Sequence, residues 1–146
     1  MPLEANPFAD WSAHLFTADR ATYILLTNTA SLYSTVMHGR GISSGGQFLE
    51  RGLGQIREFM VDDGQEFIYR RFIAPTTGTA RFSKALNRSV IGSMNDHIVA
   101  AKILLAEHGM SPHDVSFQLN ETPLSAIDYA NPREALKSLE CVTPSA

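Results

Sequence analysis

Lys84-Ala-Leu-Asn-Arg-Ser-Val-Ile-Gly-Ser-Met-Asn95 opens the longest helical pattern in the chain. From this stretch onward, apolar residues recur mainly at intervals of three and four, the spacing that places side chains on one face of an α-helix. These positions are Val90, Ile91, Met94, Ile98, Ala101 and Leu105. Gly109 supplies a C-terminal stop signal, so the pattern predicts a core helix over Arg88–His108.

The start of this helix is a candidate anion-binding site. Asn87 suits the N-cap position, because its side-chain oxygen can accept a hydrogen bond from a free N–H group of the first turn. Arg88 then lies beside the positive end of the helix dipole, where an exposed cation is disfavoured by about 0.3–1 kcal/mol and an anion is favoured. The residues predicted to bind a phosphate or carboxylate are Lys84, Asn87, Arg88, Ser89 and Asn95.

A simpler interpretation gives this stretch no ligand. Arg88 then pairs with an acidic residue elsewhere in the fold or points into water, and Asn95 is a satisfied polar group within the helix. The stretch also lacks the Gly-rich loop of common phosphate-binding motifs.

The composition is that of one globular domain in a reducing compartment. The 146 residues are 44% hydrophobic and 18% charged, as in ordinary folded domains. The single cysteine, Cys141, cannot form an internal disulfide, and neither a membrane span nor a signal peptide is recognisable. We expect one cytoplasmic domain over residues 1–146 with no membrane partner, an irregular lead-in over residues 1–10 and a tail over residues 111–146.

Charge is distributed unevenly around the net value of −3. Residues 67–102 carry six Lys or Arg and one Asp, whereas both flanking segments are acidic. This basic island could bind an anionic partner, or it could dock onto the acidic ends of its own chain or of a second subunit. The acidic total makes nucleic acid a possible but not a favoured partner.

Three β-rich segments precede the helices, at Trp11–Thr17, Thr22–Thr27 and Leu32–Met37. Their connections are too short for a crossover helix, so they predict an antiparallel meander. A helix is expected over Gln47–Val61, and a shorter one from Gln65 should turn Phe67, Ile68 and Phe72 inward. Thr79–Ser83 could add a fourth strand.

The predicted fold class is α+β: a small antiparallel sheet of three to five strands packed against two or three helices. We expect the Gln47–Val61 and Arg88–His108 helices to cover one face of it. In the tail, Val115–Leu119 alternates like a strand, and Thr122-Pro123 and Asn131-Pro132 each resemble a helix start. The exposed sheet edges and the helical tail favour a homodimer.

Metal and cofactor chemistry have little support in the sequence. The histidines are scattered outside any zinc spacing, so no metal and no cofactor is predicted. Asp62-Asp63-x-x-Glu66 could bind magnesium, but acidic residues at a helix break more often act as caps.

An enzymatic alternative rests on a His, an Asp and an Arg. His14, Asp19 and Arg20 are weak catalytic candidates that could serve a small hydrolase or nuclease together with Arg88. Such hairpin residues more often satisfy the backbone of a turn. We therefore favour a non-enzymatic binding or regulatory module, with the hydrolase and a purely structural partner protein as alternatives.

A family resemblance supports the fold more than the function. Its signature comprises Trp11-x-Ala-x-Leu15, the Asp19-Arg20 hairpin, the strand ending in Thr27-Asn28, the Leu32-Tyr33 strand, and the segment from Phe82 to Asn95 with its Asn-Arg-Ser helix opening. Over about Trp11 to Glu107 the chain resembles a bacterial and archaeal family classed as a domain of unknown function. The resemblance implies a shared fold and no particular chemistry.

Overall fold

The computed structural model describes residues 7–76, 81–83, 88–124 and 127–142, and leaves the side chains of residues 76, 81–83, 89 and 140–142 undescribed. The α+β prediction is confirmed. Strands β1 (Asp10–Ala18), β2 (Ala21–Asn28) and β3 (Ser34–His38) form the predicted antiparallel meander. A short strand, β4 (Arg81–Ser83), pairs parallel to the start of β1, so the order is β3-β2-β1-β4.

The first hairpin is closed by the two residues Asp19 and Arg20. Both have left-handed backbone angles, with φ of 49° and 67°, as a type I′ turn requires. This turn matches the right-handed twist of the strands and sets Ala18 opposite Ala21. The register of the whole β1–β2 pair follows from that turn.

The two long helices lie on opposite faces of the sheet, and the prediction that they share one face is wrong. Helix α1 (Gly45–Asp62) packs on Ile24 and Leu26, whereas the long helix Arg88–Ala106, which follows β4, packs on Tyr23 and Leu25. Successive strand residues point to opposite faces. Every residue of β2 from Tyr23 to Asn28 is buried, so the strand lacks the one-sided alternation that a single covered face would produce.

Helix α1 begins two residues earlier than predicted. The Ser44 hydroxyl accepts a hydrogen bond from the N–H group of Gln47 at 3.2 Å, and the Gln47 side chain accepts one in return from the N–H group of Ser43. This reciprocal capping defines the start of the helix. Ile56, Phe59 and Met60 then form its buried face.

The next helical segment is irregular. Helix α2 (Glu66–Ile68) continues into a π-helical turn over Tyr69–Ile73. Ile68 is buried as predicted, and the Phe72 ring stacks on Phe8 at 4.7 Å. Phe67 is 63% exposed, contrary to the prediction that it turns inward, because the single short turn of α2 buries only Ile68.

The tail begins with a helix where a strand was predicted. After α3 (Arg88–Ala106), residues Pro112–Leu119 form α4. The Ser111 hydroxyl caps this helix by accepting from the N–H group of Asp114, and Pro112 occupies the first turn. Val115 and Leu119 are four residues apart, so their burial fits a helix face as well as it fits an alternating strand.

Of the two proline-marked helix starts, Asn131-Pro132 opens an α-helix, whereas after Thr122-Pro123 the described residues show a 3-10 turn in which Ile127 donates its N–H group to the carbonyl of Leu124. Helix α5 (Pro132–Val142) begins where Asn131 accepts a hydrogen bond from the N–H group of Glu134 at 2.8 Å. The Thr122 hydroxyl instead donates to the carbonyl of Gln118, and Pro123 follows without helical structure. Across the described ranges, no helix combines the length and apolarity needed to cross a bilayer.

Candidate functional site

Helix α3 packs in the core along most of its length but exposes its first residue, Arg88. Its buried face consists of Met94, Ile98, Ala101 and Leu105, packed on the sheet and on α4. Arg88 begins the helix and is exposed, and the first turn contains no acidic residue. The positive end of a 19-residue helix and a cation therefore lie together at the surface.

The structure describes this predicted anion site in part. Arg88 and Asn95 are exposed. Lys84 and Asn87 lie outside the described residues, and the side chain of Ser89 is not described. Arg88 and Asn95 are seven positions apart, about 10 Å along the helix axis, so a ligand that contacts both must be longer than a single phosphate.

The basic island is divided among different environments. Arg70 forms an ion pair with Glu66 at 2.6 Å, and the Arg71 guanidinium lies 5.9 Å from the centre of the Phe72 ring. Lys102 is exposed on α3, but about 20 Å of helix separates it from Arg88. Lys102 therefore lies outside any patch centred on the helix start, and Arg70 already has an acidic partner.

The weak catalytic candidates are all exposed, and one strand holds them apart. His14 lies in the middle of β1, whereas Asp19 and Arg20 form the turn that follows it. Four residues of extended strand separate His14 from Ala18, a distance of about 13 Å. A His and an Asp at this separation cannot act on the same bond of a small substrate.

The three carboxylates at the end of α1 and the start of α2 each have different partners. Asp62 accepts from the His113 ring at 3.0 Å, and Glu66 pairs with Arg70. Asp63 accepts hydrogen bonds from Tyr33, just before β3, and from Arg133 of α5. The first turn of α2 has no side-chain cap. The expected capping role is therefore wrong, and no three His, Cys, Asp or Glu residues of the described chain are grouped as a metal site requires.

Sequence reasoning missed a buried polar cluster around Asp63. Its carboxylate accepts a hydrogen bond from the Tyr33 hydroxyl at 2.6 Å and two-pronged bonds from Arg133 at 2.8–3.1 Å. Burial, and then the bond to Asp63, raise the pKa of Tyr33, while that same carboxylate raises the pKa of Arg133. All three groups are satisfied by one another, which indicates a clamp between α1 and α5 rather than a reactive site.

A second missed residue is His97, which is 1% exposed on α3. Its Nε2–H group donates to the carbonyl of Leu32 at 3.3 Å. Burial lowers the pKa of His97 to about 4, so the ring is neutral at physiological pH. The periodicity predicted the neighbouring Ile98 as a core residue but gave no signal for His97.

An open groove lies between the end of β3 and α1. It has a volume of about 740 Å³ and is lined by Met37, His38, Arg51, Gly54, Gln55, Arg57, Glu58, Val61 and Asp62. Arg51 is held by the carbonyls of Arg40 and His38. Two arginines and two carboxylates line the groove, so it has no net preference for an anion.

Comparison with known proteins identifies a family and no activity. No curated protein matches the sequence. A family model described as a domain of unknown function, DUF6933, matches residues 1–135, which extends the recognised region beyond Trp11–Glu107 on both sides. The chain therefore belongs to the DUF6933 family.

Proposed function

We propose that the protein is a non-enzymatic binding module that holds a phosphate- or carboxylate-bearing ligand at the start of α3. The main support for this proposal is that Arg88 is an exposed cation at the first position of a long core helix, whose first turn contains no acidic residue. None of the ion pairs among the described residues involves Arg88. An external anion would satisfy both Arg88 and the helix dipole.

The packing of α3 supports this proposal because it makes the site preorganised. Met94 and Ile98 hold the helix against the sheet, so little conformational entropy is lost when a ligand binds. Asn95, on the same face as Arg88 and about 10 Å along the axis, favours an elongated ligand. A nucleotide fits this description better than inorganic phosphate.

A thermal-shift panel tests the proposal. Inorganic phosphate, pyrophosphate, nucleoside mono- and triphosphates and citrate are compared on the wild type, Arg88→Ala and Lys84→Ala. We expect at least one ligand to raise the melting temperature, and both substitutions to remove that rise. Lys102→Ala is the matched control, because it removes a cation from the same helix far from its start.

Two outcomes would contradict the proposal. One is that no compound in the panel raises the melting temperature. The other is that Arg88→Ala and Lys84→Ala retain the full ligand-induced shift. The structure does not favour the hydrolase alternative, since β1 holds His14 and Asp19 apart.

A further inference from the structure

The groove between β3 and α1 carries opposite charges at its two ends. Arg51 and His38 line one end, the basic end, and Glu58 and Asp62 line the other, the acidic end. Along the axis of α1, Glu58 lies about 10 Å from Arg51 and Asp62 about 16 Å. The charges of the groove are therefore separated along its length rather than mixed.

The cation of the basic end is held in place by the backbone. Arg51 donates to the carbonyl of Arg40 at 2.6 Å and to that of His38 at 3.0 Å. A guanidinium has more N–H donors than these two bonds use. None of the ion pairs among the described residues involves Arg51, so this group is preorganised to bind an external carboxylate.

Side chains from α4 and its C-terminal cap close the β3 edge up to the groove. The Asn120 amide accepts from the N–H group of Ser34 and donates to its carbonyl, both at 2.8 Å. The Ser116 hydroxyl accepts from the N–H group of Val36 at 2.9 Å. By the alternation of an antiparallel strand, the N–H group of His38 points the same way. It lies at the basic end, where it can donate to a bound carboxylate.

The acidic end coincides with the negative end of the α1 dipole. Glu58 and Asp62 are one helical turn apart, and the last turn of α1 contains no basic residue. Asp62 contacts the His113 ring, whereas none of the ion pairs among the described residues involves Glu58. Arg57 precedes Glu58, but adjacent helix positions do not face each other. Carboxylates are disfavoured at this end of a helix, so a bound ammonium group would be stabilised there.

Gly54 lines the groove, and neither packing nor backbone geometry requires a glycine there. It is an exposed residue inside α1, and a Cβ atom at this position would meet no neighbouring atom within 4 Å. It is not among the glycines with positive φ. A glycine inside a helix destabilises it relative to alanine. A ligand that lies directly against the bare helix backbone gives this residue a purpose.

We propose that the groove binds a short peptide with free termini, its carboxylate at Arg51 and its ammonium group at Glu58 and Asp62. An extended chain advances about 3.3 Å per residue, so about three to five residues span the two ends. Met37 and Val61 supply apolar surface for the side chains of the peptide. The volume of about 740 Å³ is typical of sites for small ligands.

This site is separate from the proposed anion site. Helix α1 covers one face of the sheet, and α3 covers the other. Binding of a peptide in the groove and binding of an anion at the start of α3 can therefore be measured independently.

Isothermal titration calorimetry with the peptide Ala-Leu-Leu-Ala tests the proposal. We expect the free peptide to bind the wild type with a Kd below ~1 mM, and its N-acetylated and C-amidated forms to bind at least ~10-fold more weakly. In Arg51→Ala, amidation should no longer weaken binding but acetylation still should. The double variant Glu58→Gln with Asp62→Asn should show the reverse. Lys102→Ala and Glu107→Gln are matched controls, because each removes a charge from α3, and both should bind like the wild type.

A third variant blocks the groove without removing a charge. Gly54→Leu should abolish peptide binding and should not lower the melting temperature, because leucine is a better helix former than glycine. Gly92→Leu is its control, since Gly92 is an exposed glycine of α3 with equally open surroundings.

Three results would overturn the proposal. One is a free peptide that binds the wild type more weakly than ~1 mM. Another is a loss on amidation that persists in Arg51→Ala, which would show that Arg51 does not hold the carboxylate. The third is full binding by Gly54→Leu, which would place the peptide outside the groove.

Discussion

At the scale of single residues, the least predictable interactions are those of buried polar groups. Asp63 follows α1, and its partners Tyr33 and Arg133 lie 30 and 70 residues away in the chain. The Asp62-Asp63-Gly64 sequence indicates a helix break but not these partners. A local pattern carries no information about which distant residue will donate hydrogen bonds to a buried carboxylate.

Removing the Asp63 carboxylate should be costly. We expect Asp63→Ala to lower the free energy of unfolding by about 3 kcal/mol, because Tyr33 and Arg133 lose their common partner in a largely buried site. The neighbouring Asp62→Ala should cost less than about 1 kcal/mol, since the Asp62–His113 pair is half-exposed. Urea denaturation of both variants measures the difference, and equal losses would contradict the clamp.

His97 should make stability depend on pH in mildly acidic solution. Its pKa is about 4 in the folded protein against 6.5 when unfolded, so the unfolded chain binds more protons between these values. The stabilisation is therefore complete above pH 6.5 and falls as the pH drops toward 4. Between pH 7 and pH 5 the loss should be about 2 kcal/mol.

Substituting His97 isolates this contribution. His97→Gln removes the titrating ring, so its free energy of unfolding should fall by about 2 kcal/mol less than that of the wild type between pH 7 and pH 5. His108→Gln changes an exposed histidine near the end of α3 and should keep the wild-type profile. Parallel pH profiles for the wild type and His97→Gln would refute the assignment.

At the scale of elements, periodicity predicted most boundaries but was ambiguous for short segments. The β1–β2–β3 meander, α1 and α3 were confirmed because each has a long pattern and a clear stop. Val115–Leu119 fits both periods, and only the Ser111-Pro112 start distinguishes a helix from a strand. The capping signal was the better guide there, because it acts through a specific hydrogen bond.

Asn120 and Ser116 should each protect a different backbone group at the edge of β3. Asn120→Ala leaves the backbone of Ser34 unpaired, at a cost of about 1–3 kcal/mol, and should speed amide exchange at Ser34. Ser116→Ala should act instead at Val36. Native-state hydrogen exchange on both variants separates the two effects, and identical exchange changes at both amides would count against this pairing.

At the scale of the whole molecule, two cores lie on opposite faces of one sheet. Trp11 and Phe59 belong to the core under α1, while Phe16 and Met94 belong to the core under α3. The buried strand β2 contributes to both cores. Loss of either layer therefore exposes residues of β2, which couples the two.

The molecule should consequently unfold in one step. Trp11 is the only tryptophan, is 1% exposed, and donates its indole N–H group to the carbonyl of Phe8. Its fluorescence reports the α1 side, and far-UV circular dichroism reports all helices. The two urea transitions should coincide; separate midpoints would show that the two cores unfold independently.

The sequence by itself determined the three-stranded meander, the two long helices and the position of Arg88 at the start of α3. Hydrophobic period, turn residues and caps act over a few residues, so they specify the meander, α1, α3 and the exposed Arg88 at the helix start. Only the tertiary structure decided that the helices lie on opposite faces, that Asp63 joins Tyr33 to Arg133, and that α4 closes the edge of β3. Those outcomes depend on contacts between residues far apart in the chain, which no local pattern encodes.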